Sequence, residues 1–212
     1  VIRFGVFVPC YGGRIASPVV NSILRDYDYC NGAGHSFAYF SHDIQPVDRA
    51  RNLAVDRART MGLEYLMSYD ADTFVDPRGS ALEALHKSLI EWNETNEERA
   101  VAISAVTVCR GGDLLNARPA KPDEVYPAEK VGAAVMLIDL HGLDQLAKEH
   151  VWFRYQLAGN GIDTLAGEDV YFCQEVNRLG GVVLANYQVP TRHLSEVPLR
   201  LERFHVTESE PA

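Results

Sequence analysis

Two carboxylates separated by one alanine, Asp70 and Asp72, end an apolar run (Tyr65, Leu66, Met67, Tyr69) in the segment EYLMSYDADTFVDP. Residues two apart in an extended chain project to the same side. The two acids then share one small volume, where like charges repel unless a cation or a set of donors lies between them. A hard divalent ion, Mg²⁺ or Mn²⁺, meets that need because it takes carboxylate oxygens and keeps positions open for phosphate. A lone D-x-D also serves as a turn that merely solvates a strand end. The buried run before it and the helix-opening Asp76–Pro77 after it favour the cation.

Such a pair needs a scaffold, and the apolar periodicity supplies one. FGVFVP, SFAYF, YLMSY, AVAISAVTV, VGAAVMLID and VVLAN read as buried strands. Between them lie helix patterns. Ser17 is the expected N-cap and Pro18 the N1 residue of the first, with Val19, Val20, Ile23 and Leu24 on one face. Asp48 is the expected cap of the second, with Ala50, Leu53, Ala54, Ala58 and Met61 facing inward and Gly62 ending it. A third helix follows Asp76–Pro77 with a stripe of Leu82, Leu85, Leu89 and Ile90, and GEDVYFCQEVNRLGG reads as the last. This alternation predicts a single α/β domain over residues 1–212, with a mostly parallel sheet covered by helices on both faces. Residues 110–129, with Pro119, Pro122 and Pro127, are the longest irregular stretch and are expected to be a flexible loop that closes as a lid; residues 199–212 read as a polar tail. Ligands of such sheets bind at the carboxyl ends of the strands, where Asp70 and Asp72 would lie.

Bulk properties narrow the function. The 212 residues carry a formal charge of −9, so there is no broad basic field for a nucleic-acid backbone. Cys10, Cys30, Cys109 and Cys173 form no C-x-x-C pair and fit neither a zinc knuckle nor a disulfide scaffold. They read as reduced thiols, which places the protein in the cytoplasm. No apolar stretch reaches membrane-spanning length, and VIRFGVFVPC has neither the length nor the flanks of a signal peptide.

In this setting GLEYLMSYDADTFVDP resembles the D-x-D segment of the GT-A glycosyltransferases, nucleotide-sugar-dependent enzymes with a Rossmann-like sheet. PVDRARNLAVDRART is similar to the R-A-R-N helix that precedes D-x-D in compact bacterial and phage members. VPCYGG resembles their nucleotide-binding turn, GEDVYFCQEVNRLGG their acidic E-D helix, and VPTRHL their C-terminal metal-binding histidine. The likeness runs in order from about residue 4 to about residue 194. Two features depart from it: VGAAVMLID replaces a more glycine-rich acceptor-side turn, and little chain follows His193.

The resemblance implies a metal-dependent transfer of a sugar from a UDP-sugar to an acceptor and leaves the acceptor open among a glycan, a protein, a small molecule and a nucleic-acid base. It implies that Asp72 binds Mn²⁺ or Mg²⁺ directly, that Asp70 meets the ribose or a metal-bound water with Ala71 between them, and that His193 completes the metal shell. The alternative for His193 is an ordinary surface histidine after a proline turn. Pro9 and Tyr11 lie in the implied nucleotide turn, where Tyr11 offers a π face to the base or packs as an edge aromatic. Asp43 would accept a hydrogen bond from a uracil or guanine edge. Arg51 reads as a fixed cation for the diphosphate or the nucleotide pocket, whereas Arg57 and Arg59 read as a solvated helix face. Glu168 and Asp169 are the implied catalytic acids, Asp169 as general base of an inverting enzyme or as an orienting group in a retaining one; acids also favour helix starts for their dipole alone. Trp152 and Phe153 read as core rather than as a sugar platform.

Three rivals share parts of the pattern. A haloacid-dehalogenase-type phosphatase also places D-x-D after a buried strand, but nearer the N-terminus and with Thr or Val where Phe74 stands. A sugar nucleotidyltransferase shares the fold class, yet CYGGRIASP lacks the G-x-G-T-R run. A non-catalytic nucleotide-binding module is the third.

Overall fold

The computed structural model describes residues 1–76, 79–107, 117–119, 121, 124–159, 164–194 and 199–200, the side chains of Tyr11, Leu199 and Arg200 excepted. In chain order the elements are β1 (Arg3–Pro9), α1 (Ser17–Gly32), β2 (Ser36–His42), α2 (Val47–Thr60), β3 (Tyr65–Tyr69), β4 (Thr73–Val75), α3 (Ala81–Thr95) and β5 (Ala100–Ala105). They continue with β6 (Ala117–Arg118), β7 (Val125–Pro127), β8 (Lys130–Val131), β9 (Val135–Asp139), α4 (Leu140–Leu146), β10 (Gln156–Leu157) and β11 (Thr164–Ala166). The last are α5 (Glu168–Arg178), β12 (Val182–Asn186), β13 (Thr191–His193) and β14 (Leu199–Arg200).

A seven-stranded sheet in the order β2-β1-β3-β9-β5-β12-β7 forms the centre. β2, β1, β3, β5 and β12 run one way, while β9, wedged between β3 and β5, and β7 at the far edge run the other. The sheet is thus mainly parallel, as expected, with a reversal at its middle. Strand alternation divides the core into two layers. Phe4, Val6, Val8, Met67 and Tyr69 pack with Val19 and Ile23 of α1 and with Leu82, Leu85 and Leu89 of α3. Phe7 and Leu66 face the other way, toward Ala50, Ala54 and Val55 of α2, Leu143 of α4, and Phe172 and Val176 of α5. Trp152 and Phe153 belong to this second layer, so their core reading holds. Gly5 permits the closest approach within β1, because a Cβ there would lie 2.5 Å from Leu63 Cδ1. No described helix is long and apolar enough to cross a membrane.

Several local expectations shift by part of a turn. Ala16, not Ser17, is the N-cap of α1, and Pro46 precedes α2 with Asp48 inside its first turn. α3 begins at Ala81, where Ser80 Oγ accepts the Glu83 N–H at 2.9 Å. Asp76 is instead buried in an ion pair with Arg192, and Pro77 lies outside the described residues. On α1, Val20 and Leu24 are exposed while Ser22 and Asp26 are buried; on α2, Leu53 and Met61 are exposed while Arg51 and Val55 are buried. In both helices a polar side chain with partners on distant segments lies on the buried face, which hydrophobic periodicity alone does not register. Within the expected 110–129 loop, 117–118 pair with β8 and 125–127 pair with β12, so part of it is sheet. Residues 108–116, 120, 122 and 123, including Cys109, lie outside the described residues, as do 201–212 of the expected tail. Cys10, Cys30 and Cys173 are free thiols.

Candidate functional site

Both β1 and β3 deliver their carboxyl ends to one cleft of about 640 Å³. Six of the residues singled out from sequence line it: Pro9, Arg51, Asp70, Ala71, Asp72 and Glu168. They come from four separate segments of the chain. Arg14 and Tyr155, in loops, and Val47, the first residue of α2, also line it and were not singled out as site residues from the sequence.

Arg51 is the hub. It leaves the first turns of α2 and is 4% exposed. Its Nη2 donates to Asp70 Oδ1 at 2.7 Å and its Nη1 to the Ala133 carbonyl at 3.1 Å. Its Nε lies 3.6 Å from Glu168 Oε1, and the guanidinium sits over the Phe153 ring. Its neighbour Asn52 does a different task. Asn52 Oδ1 accepts the backbone N–H groups of Trp152 and Phe153, and its Nδ2 donates to the carbonyls of Asp48 and Phe153. A guanidinium fork for two carboxylates and an amide that reads backbone in both directions explain why this helix carries Arg and Asn side by side.

Of the two acids that open α5, Glu168 faces the cleft. Burial pushes its carboxyl pKa up, Arg51 opposes that rise, and the charges of Asp169 and Asp70 add to it. Asp169 turns to the start of its own helix, where its Oδ1 accepts the Val170 N–H at 2.8 Å. Gly167 leaves room for it, because a Cβ there would stand 2.9 Å from Asp169 Oδ1.

Behind the cleft, β13 runs antiparallel to β4 with His193 opposite Thr73. The Leu194 N–H donates to the Asp72 carbonyl at 2.7 Å, and His193 Nε2 stands 3.6 Å from Asp72 Oδ1. His193 Nδ1 lies 3.1 Å from the Leu194 carbonyl. A carbonyl only accepts, so in the neutral ring Nδ1 holds the proton and the Nε2 lone pair is left toward Asp72. A lone pair and a carboxylate oxygen so placed call for a proton or a cation between them, and a divalent ion fits this donor set. Among the described residues no three His, Cys, Asp or Glu side chains form a ready-made cage. Two protein ligands, with phosphate and water for the rest, is the usual habit of Mg²⁺. Asp70 sits in the same turn with one oxygen engaged by Arg51.

The turn after β1 spans Tyr11–Gly13, with Gly12 and Gly13 both at φ 67°, a conformation other residues rarely adopt. The Gly12 N–H donates to Asp43 Oδ1 at 3.0 Å, so Asp43 fastens this turn. Asp43 and His193 are not among the cleft-lining residues, and the Tyr11 side chain lies outside the described part.

No family model matches the chain, and no curated protein matches it in sequence. Solved structures do match. A197 from STIV aligns at 16% identity and a TM-score of 0.61, over 92% of this chain and 86% of that one. GalNAc-T7, solved with UDP, GalNAc and Mn²⁺, aligns at 12% identity and a TM-score of 0.56, over 92% of this chain and 44% of that one. UDP-glucose pyrophosphorylase, complexed with UDP-glucose, aligns at 10% identity and a TM-score of 0.51, over 91% and 93%. At these identities the likeness is one of fold. The chain has a Rossmann-like GT-A fold.

Proposed function

We propose that this GT-A-fold chain is a divalent-metal-dependent glycosyltransferase that moves a sugar from a nucleoside diphosphate, UDP in preference, to an acceptor hydroxyl. The observation that carries the reading is the convergence of Arg51, Asp70, Asp72 and Glu168 on one cleft, with His193 behind Asp72. Asp72 and His193 would hold the cation, which when bound neutralises charge on the departing diphosphate. Arg51 lies between Asp70 and Glu168, and in this reading Asp70 would face the donor and Glu168 the acceptor. Asp43, anchored through Oδ1, would meet the uracil edge with its other oxygen.

Glu168, which lines the cleft, would take the acceptor proton. Burial raises its carboxyl pKa, which makes the carboxylate a stronger base, and Arg51 opposes part of that rise. As the acceptor O–H gives its proton to Glu168, the oxygen bonds to the anomeric carbon. The bond from that carbon to the phosphate oxygen breaks, and its electron pair leaves with the nucleoside diphosphate. Asp169 supports the helix start instead.

Arg14, beside the glycine turn and on the cleft wall, favours a second reading, a sugar nucleotidyltransferase that grips a triphosphate. The phosphatase reading is weaker, since its nucleophilic first aspartate would have to leave a buried arginine. One assay separates these. UDP-sugars with Mn²⁺ should release UDP, slowly to water alone, whereas UTP with a sugar 1-phosphate should release no pyrophosphate and a phosphate monoester no phosphate. Pyrophosphate release without UDP release would replace the first reading by the second.

A further inference from the structure

We propose that the buried polar face of α1, made by Ser22, Arg25 and Asp26, is a clamp that positions the Asp72 carboxylate, with Asp26 as its central positioning residue. The inference rests on the donor-site reading above for what Asp72 holds, but the clamp itself stands on geometry.

Among the described residues, seven hydrogen bonds join α1 and its N-cap to residues 69–82. The Ala16 N–H donates to the Ala71 carbonyl, between the two aspartates, at 3.1 Å. Ser22 Oγ accepts the Val75 N–H at 3.2 Å, and Arg25 Nη2 donates to the Val75 carbonyl at 3.0 Å. Arg25 Nε reaches the Gly79 carbonyl at 3.1 Å. Asp26 Oδ2 accepts from the Tyr69 hydroxyl at 2.6 Å, while its Oδ1 accepts from Ser80 Oγ at 2.8 Å and from the Leu82 N–H at 3.2 Å. Tyr69 and Val75 thus bracket Asp72 three residues to either side, and α1 holds both.

From the opposite side β13 pairs with β4, and the Asp76 N–H donates to the Pro190 carbonyl at 2.9 Å. The turn that carries Asp72 is therefore gripped between a helix and a strand that also brings His193. The α1 side of this grip is costly. Asp26 is 0% exposed, and burial outweighs its hydrogen bonds enough to raise its pKa to about 6. An apolar residue would complete the Val19–Ile23–Cys30 stripe without burying a carboxyl. What the carboxylate supplies that an apolar residue cannot is direction: two oxygens receive three donors from β3, the α3 cap and the α3 backbone.

The test compares Asp26→Asn, Tyr69→Phe and Ser22→Ala with Leu143→Ala, a core variant in α4 on the other face of the sheet. Two readouts are taken on each: Mn²⁺ binding at saturating UDP by the Mn²⁺ EPR signal, and amide exchange over residues 71–76. The clamp predicts that Asp26→Asn weakens Mn²⁺ binding about tenfold or more and speeds exchange over 71–76. Leu143→Ala should alter neither, even where its melting temperature falls as far. Unchanged Mn²⁺ affinity in Asp26→Asn, or an equal loss in Leu143→Ala, overturns the proposal. If the wild type takes up no Mn²⁺ with UDP, the donor-site reading fails, and amide exchange alone decides the clamp: exchange no faster than in Leu143→Ala overturns it. Should Asp26→Asn not fold, Tyr69→Phe and Ser22→Ala carry both readouts in its place.

Discussion

Arg51 donates to Asp70 across 2.7 Å while its Nε stays 3.6 Å from Glu168, so one buried cation joins the D-x-D turn to the start of α5. Removing it leaves two carboxylates facing each other. Arg51→Leu should destabilise the fold by about 3 kcal/mol, the low end for breaking a buried pair, because the Asp70 side chain remains 34% exposed. The Glu168 pKa, already raised by burial, should rise further. An acid whose folded pKa exceeds its unfolded value binds more protons when folded, so its stability contribution falls as pH rises. The deficit of Arg51→Leu relative to wild type should therefore be larger at neutral pH than at mildly acidic pH, as read by melting temperatures across that range.

The α5 pair separates by substitution. Glu168→Gln should lower kcat by about 10²-fold or more, the range for loss of a positioned base, with little change in UDP affinity. Asp169→Asn should cost far less turnover, since Asp169 is turned to its own helix start. Steady-state release of UDP from a UDP-sugar measures both, and equal losses would remove the distinction.

Asn52 is a structural clasp, so its loss should appear in stability before chemistry. Asn52→Ala strands the N–H groups of Trp152 and Phe153 and the Phe153 carbonyl. At about 1 kcal/mol for each group the cost is about 3 kcal/mol, or about 6–12 °C in melting temperature for a chain of this size. Thermal denaturation checks it. Asn52→Asp keeps the acceptor and loses the donor, and should fall between.

Asp26 gives a pH signature of its own. With its pKa moved from 3.8 to about 6, the folded state binds the extra proton between those values, and stability drains away as pH climbs through them. Asp26→Asn has no such drain. The melting temperature of the variant minus that of the wild type should therefore increase from about pH 4 to about pH 6 and level off above. A flat difference would show that the Asp26 carboxyl titrates as it does in the unfolded chain.

The scaffold was largely legible because it rests on period and propensity: the long strands of the central sheet and the larger helices lie where alternation and stripes put them. The antiparallel direction of β9 was not, because a strand buried on both faces reads the same either way. Helix rotation was missed where polar partners decide it. Arg51 and Asp26 occupy positions that hydropathy assigns to solvent, yet both are buried by bonds to distant segments. One trace was present, since Asp26 falls in register with Val19, Ile23 and Cys30, and an acid on an apolar stripe calls for a buried partner. Asp70, Asp72 and Glu168, which the structure brings to one cleft, stood out in the sequence by chemical type and order. Arg14 and Tyr155, single residues in loops, left nothing to find.

The central claim is that Asp72 and His193 hold a cation that holds a diphosphate, and ligand-induced stabilisation tests it most directly. The measurement is the melting temperature with UDP alone, Mn²⁺ alone and both together, for the wild type and Asp72→Ala. The predicted result is a combined shift well above the sum of the two separate shifts, abolished in Asp72→Ala. Simple additivity in the wild type, or synergy that survives in Asp72→Ala, would contradict it.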